Sequence, residues 1–322
     1  MRRFRKYMRT RRYAESTIKQ HMQNILLFPD WLKKYNKSVK ECGYIDMIRF
    51  VDSVFIIKPN HHFGKININR ILSSVTYYYD SIAEKYPSIR NPAKNIRVKN
   101  TNKRLVHDLL NYEELLNLNR VFDSKSPRHI RNQVITGLLI FQGLTTRELQ
   151  NLRVDDLLLS EGKIFIRESS FNTLKRGTDS RYLQLDAVQV VDIVEYLNNI
   201  RPKILSGKYL SGSGRKPGRG KRVRKSDQFI ISLKGSPNIK NTLHHLFIDL
   251  HNLNPKVKNT RQLRQSLIAH WLTEYNLRHV QYMAGYRYVG STEWYKGTNL
   301  EELKREIDAF HPLRMKFENA EY

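Results

Sequence analysis

The sequence predicts a mainly α-helical chain with one small antiparallel β-sheet: a helical N-terminal region, then a larger α+β region. Three observations lead there. Apolar residues recur at helical spacing over most of the 322 residues. The period falls to two only in K-I-F-I-R and S-R-Y-L-Q-L, residues 163–167 and 180–185. The polar, basic stretch I-R-V-K-N-T-N-K-R-L-V-H separates two sets of periodic segments, and a chain of this length accommodates about two domains.

Residues 1–12, M-R-R-F-R-K-Y-M-R-T-R-R, read as a basic arm with too few apolar residues to pack, expected to order only against phosphate. A helical domain over 13–97 follows. Its first helix starts at Ser16 or Thr17, with Ile18, Met22, Ile25 and Leu26 on one face. Pro29 interrupts it and D-W-L-K-K-Y resumes. A second helix spans Tyr44 to Ile57. A third runs from about Ile66 to Tyr86 and stops at Pro87 and Asn91-Pro92. Its Tyr77–Tyr79 run reads as helix packing. Residues 98–107 form the linker.

The second domain covers 108–322. Asn111 and Glu114 have capping-box spacing. An apolar helix runs from Arg131 to Phe141 and Gly143 ends it; a short helix spans Thr146 to Leu152. The two period-two segments are strands joined through K-R-G-T-D. Val188 to Ile200 is helical. Residues 206–225, rich in Gly, Ser, Lys and Arg, read as a flexible basic loop. Q-F-I-I-S reads as a short strand, and the rest as helical. The last helix, 299–312, has an apolar stripe of Leu300, Leu303, Ile307 and Phe310, suited to docking on a neighbouring subunit or on its own domain.

Lys and Arg number 57 against 30 Asp and Glu, a net charge of +27. Such an excess attracts polyanions, so nucleic acid is the expected partner. Candidate contacts are Arg2, Arg3, Arg5, Arg11 and Arg12 in the arm, Lys103 and Arg104 in the linker, and Arg215, Lys216, Lys221 and Arg222 in the loop. No apolar run long enough to span a membrane, signal-peptide pattern or lipidation motif is present, so no membrane partner and a cytoplasmic, nucleoid-associated location are expected. The single cysteine, Cys42, excludes an intrachain disulfide and a Cys-based metal cluster. Neighbouring histidines (His61-His62, His244-His245) do not converge on one ion, and G-S-G-R-K-P-G-R-G-K lacks the P-loop pattern, so neither cofactor nor metal is expected.

The chemistry concentrates between Thr260 and Tyr295. Arg261 and Arg264, three apart, share a helix face, and Thr260 reads as the N-cap. Paired guanidiniums at a helix start suit the oxygens of a phosphate. Tyr295, in S-T-E-W-Y, supplies a phenol oxygen, a poor nucleophile near its ordinary pKa of ~10 unless arginines stabilise its anion. They would also offset the charge of a five-coordinate phosphorus.

This stretch resembles the C-terminal part of the tyrosine recombinases, the phage-integrase and Xer-type family. Their pattern is H-x-L-R, then L-G-H, then a tyrosine nine residues later. R-Q-L-R occupies the first motif, with Arg261 at the usual His and Arg264 at the second catalytic arginine. M-A-G-Y occupies the next, with Tyr286 at the usual His or Trp, and Tyr295 falls on the nucleophile. Upstream, G-L-T-T-R-E-L resembles G-L-R-x-x-E-L, except that Thr145 stands at the first catalytic arginine. Arg147, two residues on, points about 200° away on a regular helix. The segment from T-L-K-R-G-T-D to R-Y-L-Q-L resembles the hairpin carrying the family's catalytic lysine, with Lys175 and Arg176 as adjacent candidates. The N-terminal helices are similar to the family's SAM-like core-binding domain.

The resemblance implies a site-specific DNA recombinase or integrase of a mobile element. It would cut and rejoin DNA through a 3′-phosphotyrosyl intermediate, without cofactor, as a tetramer on two DNA sites or with a partner recombinase. Thr145 keeps two alternatives open: a catalytically weak or inactive DNA-binding accessory protein on the same scaffold, or a topoisomerase-like nick-and-reseal enzyme.

Overall fold

A computed structural model describes residues 1–56, 64–99, 108–122, 126–168, 178–207 and 226–296. These fall into two compact units, one built on Met1–Arg104 and the other on the chain beyond it.

The first unit is helical: α1 (Arg2–Thr10), α2 (Glu15–Asn24), α3 (Leu27–Lys34), α4 (Tyr44–Ile56) and α5 (Lys65–Ala83). The N-terminal residues depart from the unpacked arm expected of them. Phe4, Tyr7 and Met8 lie at i, i+3 and i+4, so α1 buries one stripe against α2 and α5. Phe4 meets Tyr78 edge-on at 5.8 Å. Arg2, Arg3, Arg5, Arg11 and Arg12 all remain exposed. Three well-spaced apolar residues suffice to fasten a short helix, whatever the charge around them. Pro29 lies in the first turn of α3, where its missing N–H costs nothing. Tyr79 is fully buried and gives its hydroxyl to the Val39 carbonyl, so the tyrosine run does pack.

The second unit surrounds its core with α6 (Tyr112–Arg120), α7 (Pro127–Ile140), α8 (Thr146–Asn151), α9 (Ala187–Glu195), α10 (Arg201–Leu205), α11 (Lys240–Leu253), α12 (Thr260–Glu274), α13 (Leu277–Ala284) and α14 (Gly290–Lys296). Asn111 and Glu114 form the expected capping box of α6. α7 begins earlier than its apolar run, because Ser126 caps it and Pro127 opens it. A π-helical stretch, Tyr196–Ile200, joins α9 to α10. The sheet has three antiparallel strands in order β1 (Leu157–Leu158), β2 (Lys163–Ile166) and β3 (Arg181–Gln184). Ile166 pairs with Arg181 and Ile164 with Leu183, so the inward row is Ile164, Ile166, Leu183 and one arginine.

Q-F-I-I-S is not a strand. Only Gln228 bridges, to Arg153, and Phe229, Ile230 and Ile231 are all buried in succession. An alternating strand would have turned the middle one outward. Their N–H groups find other acceptors: Phe229 donates to the Leu152 carbonyl and Ile231 to the Tyr196 hydroxyl. The expected loop at 206–225 and helix at 299–312 lie almost wholly or wholly outside the described residues, and so do Lys103, Arg104, Arg215, Lys216, Lys221 and Arg222.

Candidate active site

α12 organises the site. Asn259, not Thr260, caps it, accepting from the Gln262 N–H at 3.1 Å. Gln262 and Ser266, both buried, stitch the helix to the chain at Asp108 and Leu110. α12 also packs on α6, α7, α13 and α14, which holds its register. Arg264 therefore lies one turn into the helix and is 5% exposed, whereas Arg261 in the first turn is exposed.

The Arg264 guanidinium donates to the carbonyls of Gly143 and Ala284. It lies 5.1 Å from the centre of the Tyr286 ring. A guanidinium has five N–H donors, so donors remain for a phosphate. The Tyr286 ring is nearly parallel to that of Tyr295 (13°, 6.5 Å), and the two hydroxyls are 3.3 Å apart. Arg264, Tyr286 and Tyr295 thus share one small volume at the junction of α12, α13 and α14. Tyr295 is 7% exposed. Burial pushes its pKa well above the ordinary phenol value, Tyr286 adds to the rise, and Gln265 and Arg264 only partly oppose it. In this state the phenol holds its proton.

Beneath Arg264 is a buried charge cluster that the motif reading did not contain. Glu148 Oε1 accepts from Arg181 Nη1 at 2.7 Å and from Thr178 Oγ1 at 2.8 Å. Glu148 Oε2 accepts from the Thr145 N–H and hydroxyl, both at 2.8 Å, and lies 3.8 Å from Arg264. Desolvation alone would raise the Glu148 carboxyl. The Arg181 guanidinium, Arg264 and the Thr145 N–H outweigh it and hold the pKa down at about 2. Two buried guanidiniums face one carboxylate, so the cluster keeps a surplus positive charge, which an anion at Arg264 would balance.

Arg181 also donates from Nε to the Met283 carbonyl at 2.7 Å. It lies so close to Gly285 that a Cβ there would fall 2.5 Å from Nη1, and Gly285 itself has φ +67°. Glycine is required twice over, for the left-handed turn ending α13 and for the arginine across it. One signal for Arg181 was present: in R-Y-L-Q-L it holds an inward position of a period-two segment, and a buried arginine needs a carboxylate.

Thr145, at the family's arginine position, caps α8 in a box with Glu148. Arg147 is exposed on the first turn of α8. The starts of α8 and α12 touch through the hydroxyls of Thr146 and Thr260, 2.9 Å apart. Arg147 and Arg261 are each the residue after one of those threonines.

Lys175 and Arg176 lie outside the described residues. The chain just after them is fastened to the site. Thr178 pairs with Tyr286, the Asp179 N–H donates to the Gly285 carbonyl at 3.0 Å, and Arg287 bonds the Asp179 carboxylate at 2.6 Å. Among the described residues no group of three His, Cys, Asp or Glu side chains could hold a metal. No described helix is long and apolar enough to cross a membrane.

Known proteins resemble the chain over most of its length. The model of the phage integrase family matches residues 108–302. Tyrosine recombinase XerC of Oceanobacillus iheyensis is 23% identical over 302 residues, covering 92% of this chain and 90% of its own. The structure of the XerH site-specific recombinase bound to palindromic difH substrate, a post-cleavage complex, superposes with a TM-score of 0.68 at 17% identity, over 92% of this chain and 80% of that one. The lambda integrase tetramer bound to a Holliday junction gives 0.58 at 13% identity, over 91% and 75%. At such identities the structures speak for the fold.

Proposed function

The chain belongs to the phage integrase family of tyrosine recombinases, and we propose that it cuts and rejoins duplex DNA at specific sites through a link between Tyr295 and a 3′ phosphate. Arg264 and Arg261, three residues apart on α12, hold the non-bridging oxygens of the scissile phosphate. Tyr295 releases its phenol proton to water as its oxygen attacks phosphorus, and the bond to the 5′ oxygen breaks. Lys175, or its neighbour Arg176, protonates that leaving oxygen. Tyr286, 3.3 Å from the nucleophile, positions its hydroxyl. The phosphodiester energy is kept in the new bond, so a 5′ hydroxyl from another strand reverses the step. Partner duplexes are exchanged in a tetramer on two sites, in the cytoplasm, on the DNA of a mobile element.

The observation that carries this reading is the buried cluster at Arg264. It has surplus positive charge and stands beside two phenol hydroxyls, one of them nine residues past an M-A-G-Y turn. A nicked suicide duplex of the chain's own site tests it. Wild type should form an adduct that survives boiling in detergent, and Tyr295→Phe should form none. An adduct on the phenylalanine variant moves the nucleophile elsewhere.

Thr145 favours a second reading, that of an accessory protein which binds DNA and cuts poorly. Loss of one transition-state donor typically costs roughly 10²–10³-fold in rate. Arg147 is the candidate replacement, because α8 and α12 start side by side. If Arg147→Ala cuts as well as wild type, Arg147 has no such role. A wild type without adduct supports the accessory reading. Relaxation of unrelated plasmids without joint products supports a nick-and-reseal enzyme.

A further inference from the structure

A second cationic site lies at the opposite end of α7 from Gly143, whose carbonyl holds Arg264. With 14 residues, α7 separates the two by about 20 Å. There a cavity of about 490 Å³ is lined by Arg128 and Arg131 from the start of α7, by Lys234, and by Asn241, Thr242 and His245 from the start of α11. Among the described residues no acidic side chain lines it. The N-cap of α11, Ile239, offers no side-chain acceptor; the Lys240 N–H donates to Asn238 Oδ1 at 3.1 Å, which leaves the Asn241 and Thr242 amides of the first turn for a ligand. α7 contributes side chains rather than amides, because Ser126 already caps its start. Three cationic side chains and the start of α11 meet at one cavity.

Arg131 is the decisive residue. It is 4% exposed, its Nε is buried with no hydrogen-bond partner, and its recorded bond is to the neutral Asn132 amide at 2.9 Å. Arg181 and Arg264 share a buried carboxylate; among the described residues Arg131 has none. Desolvation, reinforced by Arg128, pushes its pKa down to about 10, which still leaves it charged at neutral pH. Arg128 itself bonds Asp249 at 2.7 Å on the exposed rim, so the acid there is engaged away from Arg131. A buried guanidinium without a counter-charge is costly unless an anion enters to meet it.

We propose that this cavity binds the phosphate of a nucleotide-sized ligand, with Arg131 at its base, Lys234 and Arg128 at its mouth, and the amides of the α11 start completing the cradle. The guanidinium fork matches phosphate oxygens, and helix starts favour the same charge. The volume lies within the range of small-ligand sites and exceeds what one inorganic phosphate fills. The phosphate belongs either to a free nucleotide or to a nucleotide of bound DNA.

Calorimetric titration of the full chain with ADP, at fixed salt, tests this. Wild type should bind one equivalent at the cavity. Lys234→Gln and Arg131→Met should each weaken binding roughly tenfold or more, since a hydrogen bond to a charged group is worth that much. Arg120→Gln removes an exposed charge elsewhere and should leave the affinity within about twofold. Lys234→Gln changes an exposed side chain, so it remains informative if Arg131→Met fails to fold. Equal weakening by all three variants, no change in any, or no saturable binding overturns the proposal. Displacement of ADP by a short duplex assigns the phosphate to DNA, and persistence of ADP assigns it to a free nucleotide.

Discussion

In the Met1–Arg104 unit the arginines of α1 all face outward, and the fully buried side chains include Phe4, Met8, Phe28, Phe50 and Tyr79. The second unit buries Arg131, Arg181 and Arg264 together with Glu148 and Asp156. A basic surface attracts DNA and can be had from exposed side chains alone. Holding a phosphorus in place needs charges that are dry, fixed and supported from below. The contrast teaches that one unit suits grip and the other chemistry, although both are rich in positive charge.

The contrast breaks first at Arg264. Arg264→Gln should lower single-turnover cleavage by roughly 10²–10³-fold with much smaller loss of DNA binding. Equal losses in both assays would make it an ordinary contact. Next, Glu148→Gln leaves two guanidiniums buried without their carboxylate and should cost about 3–5 kcal/mol in urea unfolding. It also sharpens a pH test. The Glu148 pKa is lowered on folding, so its stabilisation is complete above the unfolded value of about 4.3 and is lost as pH falls toward about 2. The glutamine variant should lack that acid-side loss. Gly285→Ala meets both a left-handed φ and Arg181, and should cost about 1–3 kcal/mol. The smallest effect is expected in the first unit. Arg5→Gln should change stability by less than about 0.5 kcal/mol. It should weaken DNA binding uniformly across sequences and reduce the salt slope by about one. A large stability loss there would end the division of labour drawn above.

Periodicity made most helices legible, because each buries one face: Ile68, Ile71, Leu72 and Val75 mark α5 as plainly in the sequence as in the fold. The Arg264, Tyr286 and Tyr295 neighbourhood was legible through the resemblance of R-Q-L-R and M-A-G-Y to the family's successive motifs, with Tyr295 nine residues further on. What spacing could not give was contact between distant segments. Glu148, Thr178 and Arg181 meet only after the sheet and α8 have packed. Arg131 sat inside an apolar helix pattern, and its lack of a carboxylate emerges only from the tertiary surroundings. Composition alone suggests an unpacked arm at residues 1–12, but Phe4, Tyr7 and Met8 fall on one stripe, and that position decides the packing. The buried run Phe229–Ile231 imitated a strand, since short apolar runs carry no period.

Glu148 ties three tasks together: it starts α8, pins the chain at Thr178, and offsets part of the charge of the arginines below the phenols. Fraying of that helix start would therefore unbalance the charge beneath Tyr286 in the same event. Acid or heat that breaks this cluster should end cleavage and the native packing of α8 at a common midpoint.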